Sequence, residues 1–221
     1  ATQPHIFPKS ETLEWLEHPH HSNRSFFEDM DRTKLLLCSE QFLEMDDWIE
    51  NSERLAAETQ SVLIILNTIS SSLTVYRRFS EIYGLEEVMY LSANLIPRHR
   101  RLVLERIRER LNSGKRTIVI STQVVEAGVD LDFQRVIRDL GPLDSIIQAA
   151  GRCNRHGLRA VESVFILPLR KRISAKPDSV LVYGMDAVCA LNVLALVSKT
   201  HFDGIPESQY AQLIDTYYKE V

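Results

Sequence analysis

Cysteine is scarce in this sequence. Cys38, Cys153 and Cys189 are an odd, widely spaced set without a CxxC pair. That excludes a disulfide framework or a zinc ribbon and fits a reducing cytosol, so a cytoplasmic protein is expected. Long apolar runs are also missing: none approaches the ~20 residues that span a bilayer. The opening ATQPHIFPKS has no apolar core of a secretory signal. No membrane partner is therefore expected. The third absence concerns phosphate. A self-sufficient nucleotide hydrolase of the P-loop type needs GxxxxGK[ST], because backbone N–H groups and a lysine must cradle the phosphates. The only Gly-Lys is Gly114-Lys115; Arg116 follows it, and no glycine stands five residues before Gly114. No run of carboxylates resembles a magnesium-holding Asp-Glu pair at a strand end. A nucleotide is thus not held and hydrolysed by these residues unaided, although they can donate groups to one held by another domain.

What is present is an ordinary globular composition: 221 residues, 44% hydrophobic, 25% charged, net charge −4. The length suits one good core with an extension, or two small domains. A negative total charge means that any nucleic-acid-binding basic surface must be local. The first residue is Ala and leads straight into Thr-Gln-Pro, so a fragment of a longer polypeptide is expected.

From about residue 60 strand-like and helix-like segments alternate. SVLIIL (61–66) reads as a buried parallel strand, and residues 70–83 as a helix. EEVMYLSA (86–93) is a second strand. Pro97 opens a helix through Leu111, with Val103, Ile107 and Leu111 on one face, and Ser113-Gly114 closes it. RTIVIST (116–122), QRVIRDL (134–140) and AVESVFIL (160–167) are further strands. Asp144 stands where an N-cap would start a helix through Ala150. Before residue 59, residues 13–17 read as a short helix, KLLLC (34–38) as a strand and residues 41–59 as a helix. After residue 170, Met185–Val197 is apolar almost all round and should be buried. Residues 206–218 are amphipathic, with Tyr210, Leu213, Ile214, Tyr217 and Tyr218 at helical spacing. The order β-α-β-α predicts an α/β fold: a parallel sheet with helices on both faces, whose ligands bind beyond the carboxyl ends of the strands.

Gln148, Gly151, Arg152 and Arg155 spell QxxGRxxR. If the helix continues, Gln148, Arg152 and Arg155 share a face, and two guanidiniums there suit a polyphosphate. The alternative is a pair of surface arginines bridging to Asp139 or Asp144. Upstream lies STQVVEAGVDLD (121–132), in which Thr122 ends a strand and Gly128-x-Asp130 follows a short apolar turn.

Together these two segments resemble motifs V and VI of superfamily 2 helicases. RDLGPLDSIIQAAGRCNRHG (138–157) resembles, more narrowly, the CRISPR-associated helicase-nuclease family of type I systems. SVLIILNTISSSLTVYRRF (61–79) is similar to that family's motif IV region, and LSANLIPRHRR (91–101) to its motif IVa. The opening Ala-Thr-Gln-Pro looks like the tail of motif III, and residues 205–221 resemble the linker before the family's C-terminal domain. The resemblance is weakest over residues 10–58 and 170–200.

The resemblance implies a second RecA-like motor domain over residues 59–170. Residues 1–58 would be an inter-domain segment and residues 171–221 a mainly helical extension. It implies ATP and magnesium held mainly by a first RecA-like domain outside this chain. Arg152 and Arg155 would reach that nucleotide's γ-phosphate as arginine fingers, with Gln148 coupling the contact to the nucleic-acid side. Gly128 and Asp130 would meet the nucleotide, Asp130 at the ribose hydroxyls. Asn67, Thr68, Thr122 and Gln123 would touch the backbone of single-stranded DNA, contacts that position without reading sequence. The other implied partner is an RNA-guided surveillance complex. The alternatives are the same half-motor in another superfamily 2 helicase, or a non-catalytic RecA-like module that binds nucleic acid or protein.

Other features have plainer readings. His18, His20 and His21 read as a solvated loop in preference to a metal site, and no metal site is expected. Residues 98–101 (Arg-His-Arg-Arg) are a solvated helix start or a DNA-facing patch, with Arg101 and Glu105 spaced as an i,i+4 pair. Cys153, the three tyrosines, Trp15 and Trp48 read as packing residues.

Overall fold

A computed structural model describes residues 31–126, 128–172 and 175–221. In chain order the elements are β1 (Thr33–Leu37), β2 (Leu43–Glu44), α1 (Met45–Ala57), β3 (Ser61–Ile65), α2 (Ile69–Tyr83), β4 (Val88–Leu91), α3 (Pro97–Asn112) and β5 (Thr117–Ser121). They continue as β6 (Arg135–Asp139), α4 (Leu143–Ala150), β7 (Glu162–Leu167), β8 (Leu169–Arg170), α5 (Asp178–Tyr183), α6 (Met185–Ser198), β9 (Ile205–Pro206) and α7 (Tyr210–Glu220). One sheet has the order β4-β5-β3-β6-β7-β1-β9. Only β9, at its edge, runs antiparallel.

The layering follows from the side-chain period of two. Along β3, Leu63 and Ile65 face one cluster with Val119, Val136, Val164 and Ile166. Val62, Ile64 and Leu66 face the other with Ile118, Ile120 and Ile137. α1 and α2 cover the second face with Trp48, Ile49, Val75 and Phe79. α3, α4, α6 and α7 cover the first with Ile107, Ile146, Leu194 and Tyr217. Apolar on both sides, these strands are stable only in a sheet covered on both faces. Trp48 is fully buried, and its indole N–H donates to the Leu167 carbonyl at 2.8 Å, so the α1 anchor is also a hydrogen-bonded one.

Several expectations need correction. The boundary at residue 58 does not coincide with an edge of the fold. β1 pairs with β7 and α1 seals the core, so residues 33–57 are part of the same fold as residues 59–170. The boundary at 170 is likewise crossed: β9 pairs with β1, and Lys34 reaches Asp203 at 2.8 Å. The helix expected from Gln41 begins at Met45, because Leu43–Glu44 is a short strand paired with β8. Asp144 is inside the first turn of α4; the N-cap position is Pro142. α6 buries one face, Ala187, Ala190, Val193 and Leu194, while Met185 and Leu196 are 66% and 63% exposed. Tyr210 and Tyr217 pack in the core as expected, but Tyr218 is exposed. Arg98 and Arg101 are exposed at the start of α3. Among the described residues no ion pair joins Arg101 to Glu105; Arg100 instead donates to the Ala93 carbonyl. The 13–17 helix, Trp15, the His18–His21 stretch and the motif III tail lie outside the described residues. Among those described, no helix is long and apolar enough to cross a membrane.

Candidate nucleotide and nucleic-acid interface

Three parallel strands end side by side; the loops after β3 and β5 carry Asn67, Thr68, Thr122, Gln123, Gly128 and Asp130, while Gln148 lies in α4 and Arg152 and Arg155 in the segment that follows it. After β3, Thr68 caps α2, its hydroxyl oxygen accepting from the Ser71 N–H at 3.2 Å. The same hydroxyl donates to the Asp178 carboxylate at 2.7 Å. Asn67 is 5% exposed. Its amide nitrogen donates to Asp139 at 2.6 Å and to the Leu140 carbonyl at 2.5 Å, and its oxygen accepts from Arg138. After β5, Thr122 is buried and Gln123 opens a short 3-10 turn. The Gln123 amide donates to the Asn67 carbonyl and to the Tyr183 hydroxyl, both at 2.9 Å. Asn67, Thr68 and Gln123 therefore meet as one cluster, but their side chains are largely spent on one another and on the fold. What the loops leave free is backbone: Thr68 takes up the Ser71 and Ser72 N–H groups, and those of Ile69 and Ser70 at the start of α2 have no intrahelical partner.

The expected continuous helix under Gln148, Arg152 and Arg155 does not form. α4 stops at Ala150, and Arg152 to Asn154 pair with Phe133 instead, through Phe133 N to Arg152 O and Asn154 N to Phe133 O, both 2.9 Å. Asn154 has a φ of 44° and is fully buried. Its amide reaches the carbonyls of Arg32, Arg159 and Ala160 at 3.0–3.2 Å. Gln148 is exposed on α4. Cys153 is 1% exposed and burial pushes its thiol up to about 12, which makes it a packing residue and not a reactive one.

Neither arginine bridges to Asp139 or Asp144. Arg152 donates through Nε to the Val125 carbonyl at 2.8 Å and through Nη2 to that of Glu126 at 2.9 Å. It is 8% exposed, yet two bonds leave the rest of its five N–H donors unassigned. Arg155 pairs with Asp130 at 2.9 Å. Burial and the neighbouring Arg155 charge both lower the Arg152 pKa. Two guanidiniums thus share one locus with a single exposed carboxylate opposite, an arrangement that favours an added anion. Gly128, with a φ of 69°, makes the turn that brings Asp130 to Arg155. Asp130 also borders an open cleft of about 440 Å³, lined in addition by Arg108, Asp132, His156 and Arg159.

Beneath these loops lies a network absent from the expectations. Arg138 is fully buried within β6. Its Nε donates to Glu126 at 3.0 Å, Nη1 to Asn67 at 2.5 Å and Nη2 to the Ser145 hydroxyl at 3.2 Å. Ser145 in turn donates to Glu126 at 2.6 Å. The loops after β3 and β5 and the first turn of α4 are thereby tied through one side chain. Gly141 makes room for it: a β-carbon there would come within 3.0 Å of Arg138 Nη2. The signal in the sequence was a charged residue inside the apolar strand VIRDL. Asp139 beside it is buried too. Burial pushes its carboxyl up to about 7 against the pull of Arg138 and the Leu169 N–H. Between roughly pH 4 and 7 the folded chain therefore keeps a proton that the unfolded chain has lost. This contribution to stability is complete below the unfolded value and fades as pH rises through 7. The Tm of the parent relative to Asp139→Asn should fall across pH 4.5–7.5; a constant difference would contradict it.

Comparison with known proteins bears on the family and the fold. Residues 58–158 match a Cas3-like family model described as CRISPR-associated nuclease/helicase Cas3, C-terminal. Over these residues the chain resembles that family. A relative of that name from Streptococcus thermophilus is 33% identical over 130 residues, 55% of this chain and 14% of the relative's length. The chain thus spans about a seventh of that relative. The fold matches the crystal structure of T. fusca Cas3-AMPPNP with a TM-score of 0.65 at 23% identity, over 86% of this chain and 24% of that one. It matches a chain of a pre-nicking CRISPR RNA-guided surveillance complex with a TM-score of 0.65 at 23% identity, over 85% of this chain and 25% of that one. The α/β architecture is that of a Cas3 C-terminal RecA-like domain.

Proposed function

We propose that this chain is the second motor domain of an ATP-dependent single-stranded DNA translocase in CRISPR interference, working across a cleft from a first RecA-like domain. The observation that carries the proposal is the Arg152–Arg155 pair, two guanidiniums facing one carboxylate at the end of a sheet whose sequence has no phosphate loop. Such a locus suits the γ-phosphate of a nucleotide held by another domain. Charge spreads over the phosphoryl oxygens in the transition state, and a guanidinium fork stabilises it there. Arg155, the more exposed of the two, swings from Asp130 to the phosphate. Arg152 fixes the loop after β5 and presents its remaining donors. Asp130, once released, meets the ribose, with Gly128 holding the turn. Gln148 stands at the same cleft face of α4.

Among the described residues no group of three or more His, Cys, Asp or Glu side chains could hold a metal. In this reading magnesium is held mainly by the first domain, where it would neutralise phosphate charge. The backbone N–H groups at the start of α2 grip the DNA phosphates, with Asn67, Thr68, Thr122 and Gln123 shaping that surface. Closure on ATP, hydrolysis and reopening shift this grip along the strand. Support comes from the matched family, and from the neighbours that are Cas3 with AMPPNP and a component of a surveillance complex. The test is ATP turnover by the polypeptide carrying both motor domains, on single-stranded DNA and on target DNA with an RNA-guided surveillance complex. Turnover stimulated by the strand, and recruited to the target only with the complex, is expected. Recruitment without the complex would place the motor in another superfamily 2 helicase.

A further inference from the structure

The short helix α5 lies outside residues 58–158, yet both its ends reach under the candidate DNA-facing loops. At its start, Asp178 is fully buried. One of its oxygens accepts from the Thr68 hydroxyl at 2.7 Å and from the Ser71 hydroxyl. Among the described residues its other oxygen makes no hydrogen bond and has Lys171 Nζ at 3.4 Å. At the end of α5, the Tyr183 hydroxyl accepts from the Gln123 amide at 2.9 Å and lies 3.5 Å from Arg138 Nη2. Gln123 passes the constraint on to the Asn67 carbonyl. Three of the four residues at the nucleic-acid face are therefore oriented by two side chains of one six-residue helix.

A buried carboxylate is costly unless its bonds are specific, and Asp178 spends its bonds on the cap of α2. The loops after β3 and β5 connect to adjacent strands, but among the polar bonds described here only Gln123 links their tips directly. Without Tyr183, the Gln123 amide loses one of its two acceptors and the spacing of those tips loosens. Without Asp178, two hydroxyls lose their acceptor and the first turn of α2 is free to reorient.

We propose that Asp178 and Tyr183 are positioning residues that set the separation and orientation of the β3 and β5 loops for a single-stranded DNA backbone. The proposal rests on the motor function above. Neither residue touches the strand: Asp178 is shut away, and Tyr183 acts through Gln123. α5 thereby makes the segment after the family-matched residues a part of the DNA grip.

The experiment uses the polypeptide with both motor domains and a homopolymeric single-stranded DNA as probe. ATP turnover is measured against DNA concentration for the parent, Tyr183→Phe, Asp178→Ala and Asp178→Asn. Loss of one hydrogen bond that orients the grip should raise the half-saturating DNA concentration roughly two- to tenfold. DNA-independent turnover should stay at the parent's level. Asp178→Asn, which keeps an acceptor for the hydroxyls, should recover most of what Asp178→Ala loses. A purely structural role would lower Tm and both turnover rates together and leave half-saturation unchanged; that result overturns the proposal. A parent not stimulated by DNA at all overturns the motor function, and the positioning role with it.

Discussion

Replacing Arg155 by alanine should slow ATP hydrolysis by the two-domain polypeptide about 10³- to 10⁵-fold, the usual worth of an arginine finger. Arg155 is suited to this test because its side chain is 38% exposed and its side-chain ion pair is with Asp130, a residue itself mostly in solvent. An exposed pair of that kind contributes little to stability, so Tm should hardly move. Arg155→Lys keeps a charge but not the planar fork, and should recover only part of the rate. Arg152→Ala is the contrasting case. It frees the carbonyls of Val125 and Glu126, so both turnover and the order of the loop after β5 should suffer. Normal turnover in either alanine variant would favour a non-catalytic RecA-like module.

The second large effect concerns stability. Arg138→Ala should cost about 3–5 kcal/mol in urea unfolding, because it leaves Glu126 buried beside a vanished partner. Arg138 is fully buried and the Glu126 side chain is 9% exposed, so water cannot easily compensate. The Asn67 oxygen and the Ser145 hydroxyl lose a donor at the same time. Removing both charges as Arg138→Met with Glu126→Gln should cost less than the sum of the single changes, since the pair acts as a unit. Strict additivity would mean that the two side chains are energetically independent, contrary to their 3.0 Å contact.

The sheet was legible because β3 and β5–β7 are short apolar runs bounded by polar turns, a pattern with few alternatives in an α/β chain. The ends of elements were harder to read. Asp144 has the chemistry of a cap but sits two residues past the N-cap position, which Pro142, with no N–H to lose, occupies. The spacing of Gln148, Arg152 and Arg155 suggested one helical face, yet Gly151 ends the helix and bridge pairing with Phe133 draws the next residues away. Composition misled for α6: fourteen residues of high apolarity bury only the face that meets the sheet.

The site was legible where a motif compresses it. Thr122, Gly128, Asp130, Arg152 and Arg155 lie within two short windows, and Asp130 and Arg155 do meet. The buried tie could not be read in this way. Arg138 bonds to Asn67 across 71 positions and Tyr183 to Gln123 across 60, so only the topology brings them together. A charged residue in a buried strand is the one local sign that such a tie exists, and β6 carries it.

The most direct test of the account is ATP hydrolysis, with and without single-stranded DNA, by this chain alone and by the longer polypeptide or a mixture with the first RecA-like domain. Arginines that serve another domain's nucleotide predict no turnover by this chain alone and DNA-stimulated turnover once the first domain is present. Turnover by this chain alone would contradict that claim and require a phosphate-holding site within its own residues.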